Sequence, residues 1–300
     1  MHSTNEHNLK KGAICLLIGE AFIALMVAVI KKLSADIPNE ALVFYRNIIG
    51  LCILLPIIFL DPRNDTPLNS LRTNHLPLHL IRCFFGVSAM YCFFYVIANI
   101  PLAEATLVKL SVPFFLPLIT YFWLKETIQR KNKLAILIGF LGVLAILRPG
   151  TDQFNPIALI GVLGACFAAI AKVAIRRMNS TEPNTRIVFY FALLSSLITA
   201  LPLIWDCAYQ HCPLPNTEQA LWLGLLGILG TGGQLFMTQA YRIANPGKIG
   251  PYTYSSLIYA TLLGWIFWGE TLALPTIIGS TLIIYAGLLN LRVNDNDHPK

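Results

Sequence analysis

The chain has 300 residues, 56% hydrophobic and 12% charged, with a formal net charge of +7. Soluble domains run at roughly 45–50% apolar and about 25% charged residues, so this composition excludes an ordinary soluble fold. The basic excess does not point to nucleic acid either, because it is scattered through short connections between long apolar runs.

A bilayer core about 30 Å thick takes roughly 20 apolar residues per helix. Ten stretches qualify: 12–30, 40–60, 80–99, 103–124, 132–148, 154–176, 186–206, 219–242, 248–268 and 274–291. A barrel would show alternating segments of about ten residues, so helices are predicted throughout. The first stretch follows Lys10 and Lys11 but has no A-x-A-like cleavage site, and it is expected to be a retained span rather than a signal peptide. With the N-terminus inside, sixteen of the 22 Lys and Arg fall on the inner side, Arg82 among them. Lys31, Lys32 and Arg148 fall outside, while Arg46, Lys109 and Lys172 lie within spans. That imbalance predicts two cytoplasmic termini.

The chain also repeats itself. Gly19–Leu33 aligns with Gly164–Met178, pairing Phe22 with Phe167 and Lys31-Lys32 with Arg176-Arg177. Val43-Phe44-Tyr45 recurs as Val188-Phe189-Tyr190, Ile97-Ala98-Asn99 as Ile243-Ala244-Asn245, and Glu126-Thr127 as Glu270-Thr271. The offset stays between 144 and 146, which divides the chain into repeats at 1–150 and 151–300. Five spans per repeat is an odd number, so span six starts on the opposite side from span one. The expected architecture is an all-α integral membrane protein of ten transmembrane helices in two inverted five-helix repeats. Such pairs have two packings of similar energy, open to opposite sides.

Five of the seven cysteines sit in spans as small apolar residues, and Cys207 and Cys212 share one outer loop as two free thiols or a disulfide. Asn64-Asp65-Thr66 and Asn179-Ser180-Thr181 match the glycosylation pattern but fall in predicted cytoplasmic loops. Small residues line one face of span one (Gly12, Ala24, Ala28) and of span six (Gly161, Gly164, Ala165, Ala168, Ala169), as close helix approach in lipid requires.

The run Arg82-x3-Gly86, Tyr95, Pro101-x2-Glu104-Ala105-Thr106, Pro113 and Glu126 resembles the third-to-fourth-helix signature of the EamA family, within the drug/metabolite transporter superfamily. Phe44-Tyr45-Arg46-Asn47 and the Gly-rich fifth span resemble it too, and the likeness covers essentially the whole chain. The resemblance implies a ten-helix inverted repeat that moves metabolites or toxic small molecules across a bacterial inner membrane. It also implies a central cavity between helices 1, 3, 4, 6, 8 and 9. The second half matches less well, with Phe191 in place of Arg46 and a Thr253/Tyr254 region in place of Lys109.

Each charge inside a span costs at least about 2.5–3.5 kcal/mol on insertion scales and so calls for a reason. Glu20, near the middle of span one, is a candidate to bind a cationic group, to carry a proton, or to pair with a lysine. Lys109, with Ser111 beside it and Pro113 and Pro117 beyond, is a candidate for a carboxylate or phosphate, for Glu20, or for outward snorkelling. Lys172 lies a turn from the inner end of span six, where snorkelling competes with binding, and Arg46 reads as a structural buried charge. Tyr91, Tyr95, Ser111, Gln234, Tyr252, Tyr254 and Ser255 complete the cavity candidates, with Ser256 and Gln239 nearby. Three in-span cations against one carboxylate favour a zwitterionic or anionic solute.

The expected function is secondary-active transport of small metabolites by alternating access, with Glu20 as the candidate for proton coupling. The alternative is a facilitator or exporter without ion coupling. There is no G-x4-GK[ST] loop for an ATP-driven pump, no CxxC, no G-x-S-x-G and no H-E-x-x-H around His75-x3-His79, so no enzyme, cofactor or metal is expected. The expected partners are a small solute, the bilayer and a proton, with the protein a monomer or homodimer.

Overall fold

In the computed structural model the described residues are 2–59, 73–125, 128, 130–148, 154–178, 181–182, 184–210, 215–244 and 249–295. Cys212, Asn64–Thr66, Asn179-Ser180, Glu126-Thr127 and Asn245–Gly247 lie outside them.

The described chain is helical: α1 His2–Leu33, α2 Asn39–Phe59, α3 Leu76–Asn99, α4 Leu102–Lys109, α5 Val112–Leu124, α6 Arg130–Leu147, α7 Ile157–Met178, α8 Asn184–Gln210, α9 Thr217–Ile243, α10 Ser255–Trp268 and α11 Leu274–Asp295. These make ten spans, because α4 and α5 are two pieces of span four and a short 3-10 turn, Gly250–Tyr254, precedes α10 in span nine. Both spans were expected to be continuous. Pro113 has no N–H to offer the Lys109 carbonyl, and Ser111 donates back to the Val108 carbonyl (2.6 Å). Pro251 sits in the first turn of the 3-10 segment, where Ser256 donates to the Thr253 carbonyl (2.8 Å). The joints at Leu110-Ser111 and Tyr254-Ser255 are 144 residues apart, so the break is itself repeated. Each broken span also ends on a left-handed residue, Lys125 (φ 60°) and Gly269 (φ 64°), again 144 apart.

The helices pack as an inverted repeat requires. The first span of each half lies along the third span of the other, α1 on α9 and α7 on α3. Spans two and seven (α2, α8) and spans five and ten (α6, α11) meet their own counterparts. Glycines permit the close crossings. A Cβ on Gly19 would lie 3.2 Å from the Gly233 carbonyl oxygen, and one on its counterpart Gly164 would lie 2.7 Å from the Cys92 Cβ. Large apolar side chains such as Phe122, Leu201 and Trp205 are about 70% exposed, on a surface that only lipid tails can cover.

Candidate functional site: a cavity between the repeats

A cavity of about 260 Å³ lies where the two halves meet. The first half contributes Arg46 from α2, Arg82 from α3 and Lys109 from the end of α4, and the second contributes Lys172 from α7 and Gln234 from α9. Met26, Met90, Phe93, Phe94 and Phe191 are the apolar walls. No acidic residue lines it among the described residues. Four cations thus border one space, Arg46 buried, Arg82 and Lys109 half-buried and Lys172 exposed.

The broken span explains Lys109, which is the last residue of α4 and lies beside the joint. Lys172, six residues before the end of α7, also lines the cavity and is exposed. Arg46 is buried, donates to Asn47 Oδ1 (3.0 Å) and reaches the cavity from a helix that the resemblance implied to be peripheral. Arg82, read from sequence as an inner-loop cation, stands six residues into α3 with its guanidinium carbon 4.1 Å from the Phe191 ring centroid. Hydropathy could not have found it, since an arginine near a helix end has the same sequence signature whether it snorkels or turns inward. Its place in the Arg82-x3-Gly86 motif was the available signal.

Glu20 is 2% exposed and does not line the cavity, but Lys109 and Lys172 are its charge neighbours and its Oε1 has no hydrogen-bond partner among the described residues. The remaining candidates lie outside the lining. The Tyr91 hydroxyl and Ser255 Oγ are buried without hydrogen-bond partners among the described residues, Ser111 bonds within its own turn, and Tyr254 packs against Gly287 of α11. Tyr95 and Tyr252 are exposed.

The cavity positions pair across the repeat. At offsets of 144 or 145, Ile23 matches Ala168, Met26 matches Ala171, Val27 matches Lys172, Arg46 matches Phe191, Gly86 matches Gly230, and Met90 matches Gln234. The glycines alone keep their identity, so the scaffold is shared and the chemistry is not.

One end of the bundle is latched across the repeats. Glu270, just past α10, bonds Lys31 through one carboxylate oxygen and accepts the Leu102 N–H through the other (2.8 Å). Lys31 also donates to the Ile100 carbonyl (3.0 Å). Beside it, Thr276 donates to Glu104 (2.9 Å), and Arg148 approaches the same carboxylate (3.7 Å). At the other end Glu182 accepts from Thr73 (2.7 Å) and from Arg186 (2.7 Å). Burial pushes the Glu182 carboxyl up, but these two bonds outweigh it and hold the group below its ordinary range.

The family profile described as the EamA-like transporter family matches residues 10–148 and again 155–292. A pseudopaline exporter, CntI, from Pseudomonas aeruginosa is 32% identical over 279 residues, covering 93% of this chain and 95% of that protein. An S-adenosylmethionine uptake transporter from Rickettsia felis is 27% identical over 264 residues, covering 86% and 84%. A solved crystal structure superposes with a TM-score of 0.62 at 19% identity, covering 98% of this chain and all of that one, which supports the fold. This chain belongs to the EamA-like transporter family, and it is a multi-pass membrane transporter of small molecules rather than an enzyme.

Proposed function

We propose that the protein carries a small organic solute with at least one negative group, anionic or zwitterionic, across a bacterial inner membrane by alternating access between the 1–150 and 151–300 repeats. The observation that supports this is the cavity itself, lined by Arg46, Arg82, Lys109 and Lys172 with no lining carboxylate among the described residues. In this reading the termini are cytoplasmic and the latched end faces outward. Movement of the broken spans at Lys109-Leu110-Ser111 and Tyr254-Ser255 accompanies exchange of one packing for the other. A single chain contains both repeats, so a monomer suffices and a homodimer is compatible.

Glu20 is the proton-carrying group in this scheme. Charged, it competes with the solute for Lys109 and Lys172; protonated, it leaves both to the solute, so proton and anion binding favour one another. A second reading follows from the same charges. A net anionic solute leaving a cell gains about 2.3 kcal/mol per charge per 100 mV from an inside-negative potential, so export needs no proton. The relatives include both an exporter and an uptake transporter, each named for its own cargo.

The test is flux in proteoliposomes, screening labelled amino acids, nucleosides and organic anions with and without a pH gradient. Saturable flux of anions that the gradient stimulates in wild type but not in Glu20→Gln supports the coupled form. Flux indifferent to the gradient in both proteins leaves the uncoupled form standing. No saturable flux of any solute contradicts both.

A further inference from the structure

We propose that Arg82 is a cargo-binding residue, whose guanidinium N–H groups receive an oxyanion of the solute while Phe191 holds the guanidinium in place. This deepens the anion-transport reading above and rests on it. Arg82 Nε and Nη1 are buried and have no hydrogen-bond partner among the described residues. A guanidinium in an apolar wall normally has its donors filled, because a buried donor left without an acceptor carries its full desolvation cost. Here the guanidinium carbon lies 4.1 Å from the Phe191 ring centroid, and both residues line the cavity. Arg46, by contrast, already donates to Asn47.

The surroundings preorganise this geometry. Gly86, one turn along α3, also lines the cavity, and a Cβ there would stand 2.8 Å from Phe191 Cε2, so the glycine lets the ring approach. On the other side, His79 stacks on Tyr190 at 4.6 Å, so Tyr190 and Phe191 of α8 both pack on α3. A planar five-donor fork matches carboxylate and phosphate bidentately, which the point charges of Lys109 and Lys172 do not. Arg82 has no counterpart in the second repeat, where the matching position is Leu226 in the apolar core. The fork therefore belongs to the cargo chemistry of the cavity rather than to the repeated scaffold.

The experiment is ligand-induced thermal stabilisation of the detergent-solubilised full chain. The probes are citrate and inorganic phosphate at matched ionic strength, on wild type, Arg82→Gln, Arg82→Lys, Phe191→Leu and a surface control, Lys133→Ala. At least one probe is expected to raise the wild-type and Lys133→Ala melting temperatures with the same half-saturating concentration. That concentration rises at least tenfold in Arg82→Gln and three- to tenfold in Arg82→Lys and Phe191→Leu, with ligand-free melting within a few degrees of wild type. A response confined to citrate assigns a carboxylate, and one confined to phosphate a phosphoryl group. Should Arg82→Gln not fold, Arg82→Lys and Phe191→Leu carry the test. Half-saturation unchanged in the Arg82 variants overturns the assignment to Arg82. A wild type that responds to neither probe overturns the anion reading of the whole cavity.

Discussion

Phe191 stands in the second repeat where Arg46 stands in the first, and both side chains face one cavity. Each rests against a glycine in the third span of the other half: a Cβ on Gly86 would meet Phe191, and one on Gly230 would meet Arg46 Nε at 3.2 Å. The two positions are thus one packing solution used twice, filled by an aromatic ring on one side and a guanidinium on the other. A duplicated scaffold has acquired a directional, cation-rich interior by diverging at equivalent sites.

Gly86→Ala tests that packing. The added methyl must push the Phe191 ring away from Arg82, and overpacking of this kind costs about 1–3 kcal/mol, partly offset by up to about 1 kcal/mol of helix propensity. Half-saturation for transported solute rises several-fold while the melting temperature stays near wild type. Gly224→Ala, whose Cβ would meet nothing within 4 Å, leaves transport unchanged.

The Lys31–Glu270 pair is predicted to hold its end of the bundle shut. Glu270→Gln weakens the bond to Lys31 while keeping an acceptor for the Leu102 N–H. In a cysteine-free background carrying Ala171→Cys in the cavity, labelling by an impermeant thiol reagent from the latched side rises about tenfold, the equivalent of about 1.4 kcal/mol. An unchanged labelling rate means that the pair does not gate the cavity.

Stability should depend on pH through Glu182. Its folded-state carboxyl titrates below the ordinary value of 4.5, so its contribution is fully present above that pH and is lost as the pH falls through the folded value. The melting-temperature gap between wild type and Glu182→Gln is therefore widest near neutrality and narrows below about pH 4.5. A gap that widens on acidification reverses the sign and contradicts the assignment.

Much of this architecture was legible in the residues. Long apolar runs mark the spans, the 144–146 offset marks the repeat, and an odd span number makes the halves inverted. Interior charge was legible where it interrupted a run, as with Lys109 and Lys172, because hydropathy registers the cost. It was not legible for Arg82, whose place near a helix end makes it look interfacial until Phe191 is seen beside it. The break at Leu110-Ser111 was hidden because Pro113 and Pro117 are tolerated in continuous membrane helices. Lys31 and Glu270 each belong to a repeated motif, but nothing local records that residues 239 apart form an ion pair.

Whether this cavity carries negatively charged small solutes is read out by counterflow. Proteoliposomes preloaded with unlabelled glutamate, citrate or glycerol phosphate are presented with the labelled compound, with choline as the cationic comparison. Saturable, trans-stimulated entry is expected for at least one of the three anions, reduced at least tenfold when Lys109 and Lys172 are both replaced by Met, and none for choline. Trans-stimulated entry of choline with none for the anions would contradict anion transport through this cavity.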